Sequence, residues 1–136
     1  MSAVAQGSAE DRLIARYFKP LAKHPGTFGL ADDAAAITPP AGHDLVLNTD
    51  GLIAGVHFFP DDPPDTVAKK ALRVNLSDLA AKGAKPLGFL LTLVLPEGIG
   101  DIWLAPFARG RGRPAMTRAA VRRARRLRWC VSNVAS

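Results

Sequence analysis

The clearest alternation of apolar and polar positions lies in residues 64–82. Apolar side chains recur there every three or four residues, as in an amphipathic helix that packs one face on a core. The stripe consists of Ala68, Leu72, Leu76 and Leu79. Acids and prolines precede it at residues 61–65, where the helix dipole and the missing proline N–H favour them, and Gly83 follows it. The pattern predicts a helix that ends near Lys82.

Shorter patterns predict the other elements. Residues 9–22 and 101–108 read as helices, and Ser8 can cap the first of them. Residues 44–50 predict a strand, and the unbroken apolar run at 87–95 predicts a central strand that is covered on both faces. A further short strand is expected before the second helix. The order helix, strand, strand, helix, strand, helix predicts an α+β fold or a split βαβ arrangement.

Polar groups stand where several of these apolar stretches end. Asn48 and Asp50 fall on one face of the first strand by its two-residue alternation, and Thr49 falls on the other. Asp33 lies in the preceding loop, and Asp78 lies at the edge of the helical stripe. Carboxylate and amide oxygens suit a hard cation such as magnesium, and a nucleotide triphosphate site needs several of them. Taken singly, each acid also fits a turn former or a solvated helix edge.

Among the three histidines, His57 has the best case for a role in a site, because it follows Gly55 near the end of a predicted strand. A structural role is the alternative. His24 and His43 lie in loops and are expected to have no role. No P-loop or dinucleotide fingerprint is present, because the Gly-Arg-Gly-Arg run at 110–113 is too short and in the wrong context.

Composition describes one ordinary globular domain. The chain has 136 residues, of which 48% are hydrophobic and 22% charged. No apolar run reaches the length of a membrane helix, and the amino terminus does not read as a signal peptide, so a cytoplasmic location is expected. Cys130 is the one cysteine, which excludes an intramolecular disulfide and argues against a soft-metal site.

The formal net charge of +6 is divided unevenly along the chain. Residues 109–136 contain nine Arg, no Lys and no acid, whereas residues 1–108 contain nine basic and all 12 acidic residues. This change of composition divides the chain into a domain at 1–109 and an Arg-rich tail at 110–136. The tail is expected to be disordered or to be the product of a shifted reading frame.

Five ordered segments carry a resemblance to a known family. They are residues 13–18 (LIARYF), 32–35 (DDAA), 49–52 (TDGL), 55–58 (GVHF) and 70–80 (KALRVNLSDLA). Together they resemble the amino-terminal domain of thiamine-monophosphate kinase, over about residues 10–109. The resemblance implies the ATP-binding fold of aminoimidazole ribonucleotide synthetase-like proteins, a mixed sheet with helices on one side.

The resemblance also implies an activity, which is ATP- and magnesium-dependent phosphorylation of thiamine monophosphate to thiamine diphosphate. The metal ligands that it implies are Asp33, Asn48, Thr49, Asp50 and Asp78. It implies that His57 touches the substrate and that the protein is a homodimer. It assigns no side chain as the catalyst, because phosphoryl transfer is achieved mainly by positioning and charge neutralisation.

The chain departs from the family pattern in three places. Ala31 stands where the family usually has glycine, and Asn48 supplies an amide where the family often has a hydroxyl. The family continues past residue 109 with a Gly-Gly-Asp-Thr segment, which adds a metal ligand and ATP contacts, and with a second domain. The chain is therefore expected to be a truncated form.

Two other classes of function remain open. A related synthetase of the same superfamily would share the carboxylates and act on another substrate. A binding module would use the nine tail arginines on nucleic acid, with a steep salt dependence. Trp129 is the only aromatic residue of the tail, so a nucleic-acid partner is not expected.

The tail composition leads to a test on the coding DNA. Between Met116 and Trp129 only Val121 and Leu127 are large and apolar, which is too few for an amphipathic stripe, and every basic residue is Arg. We expect translation beyond residue 109 in another frame to give an apolar helix followed by a Gly-Gly-Asp-like segment. If neither alternative frame gives one, residues 110–136 are an evolved basic tail.

Overall fold

The computed structural model describes residues 8–31, 34–110, 116–123 and 128–135, and side chains up to residue 110. Its helices are α1 (Ala9–Leu13), α2 (Pro64–Ala81) and α3 (Asp101–Arg109). Its strands are β1 (Val46–Asp50), β2 (Pro86–Leu95), β3 (Met116–Arg123) and β4 (Arg128–Ala135). None of the helices in these ranges has the length and hydropathy to cross a lipid bilayer.

The first predicted helix is confirmed in extent, although it is not one regular α-helix. Ser8 and Asp11 form a reciprocal capping box at its start. After α1 the chain continues as a π-helical turn, Ile14–Phe18, and a 3₁₀ turn, Lys19–Leu21. Pro20 explains the change, because it has no N–H to donate to the carbonyl four residues earlier.

Helix α2 confirms the predicted amphipathic helix. It begins directly after Pro63, and it ends at Lys82 and Gly83, whose φ of 67° is a conformation that glycine adopts at little cost. Its buried residues are Val67, Ala68, Ala71, Leu72, Asn75 and Leu79. Asn75 is the polar exception on this face, and a buried amide must find hydrogen-bond partners to offset its desolvation.

The sheet is mixed, with the strand order β1-β4-β2-β3. Strand β4 runs antiparallel to both of its neighbours, β1 and β2, whereas β3 runs parallel to β2. Fully buried residues alternate with half-buried ones along β2, the buried apolar side chains being Phe89, Leu91, Leu93 and Leu95. The prediction of a central strand is confirmed, since β2 lies between β4 and β3, and one of its faces is buried while the other is half-buried.

The second strand expected before α2 does not form. Residues 53–58 instead make a tight turn that is closed by an isolated bridge between Ala54 and Phe58. Gly55 adopts a φ of 79°, and its N–H donates to the Phe58 carbonyl oxygen at 2.8 Å. The chain therefore hydrogen-bonds to itself within six residues, which leaves no extended stretch to pair with a neighbour.

Strands β3 and β4 lie within the Arg-rich segment 110–136. The backbone of these two stretches pairs with β1 and β2. The expectation of a disordered or frame-shifted tail and the boundary at residue 109 stay predictions.

The core brings the amino-terminal helical region, α2, α3 and β2 into one apolar cluster. Phe18, Leu93 and Leu104 have no exposed surface, and Phe107 is 2% exposed. The Phe107 ring stacks on Trp103 with the ring centroids 4.9 Å apart. Each fully buried side chain of this size contributes about 2 kcal/mol through burial, so this cluster is the main support for the elements that carry polar groups.

The loop that contains the acidic pair 32–33 is closed at its base by backbone contacts. The Ala36 N–H donates to the Gly26 carbonyl oxygen at 2.9 Å, and the His24 Nδ1 accepts from the Gly26 N–H at 3.0 Å. His24 thus caps the 3₁₀ segment Pro25–Leu30, a structural role that the sequence analysis did not assign. The backbone at Ala36 can come this close to the backbone at Gly26 because glycine has no side chain to separate the two segments of the loop.

We expect Gly26→Ala to open this loop and to destabilise the protein by about 1–3 kcal/mol. A Cβ at Gly26 would lie 1.7 Å from the Ala36 carbonyl oxygen, so the backbone must move. Gly100→Ala is the matched control, because nothing lies within 4 Å of a Cβ there. Equal unfolding midpoints in urea for both variants would show that the Gly26 contact is not a constraint.

Candidate metal and substrate site

Strand β1 and helix α2 meet through Asn48. Its side-chain Nδ2 donates to the Asp78 Oδ2 at 3.2 Å and to the backbone carbonyl oxygen of Asn75 at 3.3 Å. Residues 48 and 78 are thirty positions apart in the chain, and the amide of one directly contacts the carboxylate of the other. The exposed Asp78 carboxylate is thus held towards β1.

Asn75 makes the second connection between the two elements. Its side chain is 0% exposed, and its Nδ2 donates to the Ala71 carbonyl oxygen at 2.9 Å and to the Asp50 carbonyl oxygen at 3.5 Å. Both partners are acceptors, so only the NH₂ end of the amide can face them, and its orientation is fixed. The end of β1, where Asp50 lies, is thereby attached to the middle of α2.

Two buried amide oxygens at this junction accept no hydrogen bond from the residues whose side chains the structure describes. They are the Asn48 Oδ1 and the Asn75 Oδ1. A buried acceptor without a partner costs about 1–3 kcal/mol, so its presence in a folded protein needs an explanation. Magnesium takes oxygen ligands, and the Asn48 Oδ1 together with the carboxylates of Asp50 and Asp78 is a donor set of the type that suits such an ion. Asn48 and the two acids could ligate it directly, with Asn75 holding them in place.

Of the five predicted metal ligands, the structure places Asn48 and Asp78 in direct contact, and it places the backbone carbonyl oxygen of Asp50 3.5 Å from the Asn75 amide at the same junction. Thr49 lies on the same strand and is exposed. Asp33 lies outside the described residues. Within the described part of the chain, no group of three or more His, Cys, Asp or Glu side chains is arranged to hold a metal. The assignment of the five ligands stays a prediction.

His57 lies in the turn 53–58, separate from the β1 junction. The turn is attached to α2 through the Lys70 side chain, whose Nζ donates to the His57 carbonyl oxygen. Lys70 and Asp78 are eight residues apart on the helix, which is about 12 Å along its axis. The turn and the junction thus lie about two helical turns apart along α2.

Sequence reasoning missed the roles of Asn75 and Lys70. The sequence analysis assigned neither residue a contact. A polar residue within a core-facing stripe was the available signal for Asn75. No sequence signal identifies Lys70, because the reach of its flexible side chain depends on which loop folds beside it.

Residues 31–118 match the family of AIR synthase related proteins, in its N-terminal domain. The chain belongs to this family. The resemblance to the amino-terminal domain of thiamine-monophosphate kinase is confirmed by the curated relatives. The enzyme of that name from Caulobacter vibrioides is 46% identical over 98 residues, and the one from Escherichia coli is 45% identical over 101 residues.

These matches cover most of this chain and a minor part of each relative. They span 71% and 73% of the chain, but only 28% and 31% of the Caulobacter vibrioides and Escherichia coli proteins respectively. The chain thus corresponds to less than a third of the length of these relatives.

Solved structures agree with this assignment. The thiamine-monophosphate kinase from Stenotrophomonas maltophilia is 33% identical with a TM-score of 0.72, over 92% of this chain and 40% of that one. AaThiL complexed with AMPPCP and TMP is 31% identical with a TM-score of 0.64, over 67% of this chain and 31% of that one. The hydrogenase maturation protein HypE in complex with ATP has a TM-score of 0.74 at 20% identity, over 97% of this chain and 41% of that one, and shares the fold.

The buried amide of Asn75 gives a prediction about metal affinity. We expect Asn75→Leu, which keeps the shape of the side chain, to weaken magnesium binding by about 10–100-fold, because the residues around the ion lose their support. Its stability should stay within about 1 kcal/mol of the parent, since the change also removes a buried oxygen that has no partner.

Leu79→Ala is the matched control on the same buried face of α2. It should cost about 2–5 kcal/mol of stability and leave the magnesium affinity of the folded protein unchanged. Calorimetric titration and chemical unfolding measure the two effects separately. An unchanged magnesium affinity in Asn75→Leu would contradict the positioning role.

Proposed function

We propose that this chain is the magnesium- and phosphate-handling domain of a thiamine-monophosphate kinase. The observation that carries the proposal is the junction of β1 and α2, where Asn48 contacts Asp78 and where Asn75 attaches the end of β1. The relatives named thiamine-monophosphate kinase, and a related structure complexed with AMPPCP and TMP, support the choice of ATP and thiamine monophosphate as substrates.

The proposed reaction moves the γ-phosphoryl group of ATP to an oxygen of the thiamine monophosphate phosphate. The bond between the γ-phosphorus and the β,γ-bridging oxygen breaks, a new phosphorus–oxygen bond forms on the acceptor, and ADP leaves. The charge on the transferring group is spread over its equatorial oxygens, so the reaction needs positioning and positive charge rather than a protein nucleophile. Magnesium supplies that charge when it is bound.

The predicted site residues have separate roles in this proposed reaction. Asn48, Asp50 and Asp78 hold metal from β1 and α2, and Asp33 and Thr49 complete the proposed ligand set. His57 contacts the phosphorylated substrate from the turn 53–58. No described side chain needs to accept or donate a proton during the transfer, because the acceptor phosphate oxygen is already anionic.

The relatives are about two and a half times as long as this chain, and the matched part spans 28% and 31% of their length. We therefore assign to the chain the part of the site that the amino-terminal domain supplies, and the activity of the whole enzyme to the longer protein. Self-association is part of the same proposal, since β1 is at the edge of the sheet and its Leu47 is 69% exposed. A cytoplasmic location also stays a prediction.

Magnesium titration tests the proposal most directly. We expect the parent chain to give a binding heat with magnesium and the Asp50→Ala, Asp78→Ala double variant to give none. The Asp44→Ala, Asp61→Ala double variant removes the same charge at two exposed positions outside the junction and should bind as the parent does. Equal heats from the parent and the Asp50, Asp78 variant would contradict the assignment of these two residues as magnesium ligands.

The same preparations should be assayed for thiamine diphosphate formed from thiamine monophosphate, ATP and magnesium. Product from the parent and from the control variant, but not from the Asp50, Asp78 variant, would assign the complete reaction to this chain. Magnesium binding without product would assign it the metal-holding part alone.

A further inference from the structure

Ile53 and His57 are joined by several hydrogen bonds within the turn 53–58. The Ile53 carbonyl oxygen accepts from the Val56 and His57 N–H groups at 3.1 and 2.9 Å. The Ile53 N–H in turn donates to the His57 Nδ1 at 3.0 Å. One residue thus binds both the backbone and the side chain of His57, which fixes the direction of the imidazole ring.

The contact at Nδ1 determines where the ring carries its proton. A backbone N–H can only donate, so the nitrogen that accepts from it has a free lone pair and no proton. In the neutral imidazole the proton must then be on Nε2. Turning the ring over would put a carbon in place of Nδ1 and lose the bond to Ile53.

Contacts around the turn hold this arrangement in place. Phe58 is buried in the core next to His57, and the Lys70 ammonium contacts the His57 carbonyl oxygen. The His57 side chain itself is exposed. The Lys70 ammonium at His57 and the Asp62 carboxylate, which accepts from the Phe59 N–H at 2.9 Å, thus hold the end of the turn from two sides.

We propose that the turn fixes His57 as the Nε2–H tautomer, so that the residue acts as a neutral hydrogen-bond donor to an anionic phosphate oxygen of the substrate. This role rests on the proposed function for the identity of the substrate, whereas the tautomer rests on the turn alone. Ile53 and Lys70 are positioning residues, and they act on the substrate only through His57.

The tautomer can be measured without substrate or metal. In protein labelled with ¹⁵N at histidine, long-range ¹H–¹⁵N spectra at mildly alkaline pH distinguish protonated from unprotonated ring nitrogens. We expect an unprotonated Nδ1 and a protonated Nε2 for His57, assigned by comparison with His57→Asn. A protonated Nδ1, or a rapidly exchanging mixture of tautomers, would overturn the proposal.

Two amide substitutions separate the two ends of the ring. In His57→Asn the Oδ1 takes the place of Nδ1 and can still accept from the Ile53 N–H, but nothing replaces the outward donor. In His57→Gln the NH₂ group reaches the place of Nε2, but the Ile53 N–H loses its partner. We expect the Asn variant to keep the thermal midpoint of the parent and the Gln variant to lower it.

Binding of thiamine monophosphate should show the opposite order. We expect His57→Asn to lose about ten- to a hundredfold in affinity, as for a lost hydrogen bond to a charged group, and His57→Gln to lose less. If the parent binds and His57→Asn binds equally well, the donor role is wrong. If the parent does not bind, the proposed function and the substrate contact fail together, and the nitrogen spectra still decide the tautomer.

Discussion

The attachment of β1 to α2 by the buried Asn75 amide is the constraint on which the candidate site depends. An amide with no exposed surface must have partners, and here they are the carbonyl oxygens of Ala71 and Asp50. One of these is on the helix at 2.9 Å and the other at the end of a strand at 3.5 Å, so the amide group links the two elements. Asn48 and Asp78 can then meet across the same gap.

Helix α2 serves both as a wall of the core and as a scaffold for polar groups. Its apolar face is buried with β2 and α3, so its axis cannot shift without disturbing the core. Along the helix, Lys70 holds the turn of His57 and Asp78 faces the end of β1. A rigid element thus sets the spacing between the proposed substrate contact and the proposed metal ligands, as precise positioning of phosphoryl groups requires.

The unpartnered oxygens show how stability and function can oppose each other at this junction. Among the side chains that the structure describes, none donates to the Oδ1 atoms of Asn48 and Asn75, and a buried acceptor left in that state costs stability that an apolar residue of the same shape would avoid. A bound cation would satisfy oxygens of this kind. The same trade-off accounts for an Asn in the apolar stripe of a helix that otherwise follows a simple amphipathic pattern.

The sequence by itself determined the elements whose signals are local. The capping box at Ser8, the stripe of α2 with Gly83 at its end, and the apolar run of β2 each follow from residues within one turn or one strand of each other. The face shared by Asn48 and Asp50, and the position of Asp78 at a stripe edge, were also predictable. The tertiary structure alone decided the contacts between distant residues, such as Asn48 with Asp78 and Lys70 with His57. The periodicity of a sequence predicts which face of a helix or strand a residue occupies. Only the packing of one element on another determines which residues that face contacts.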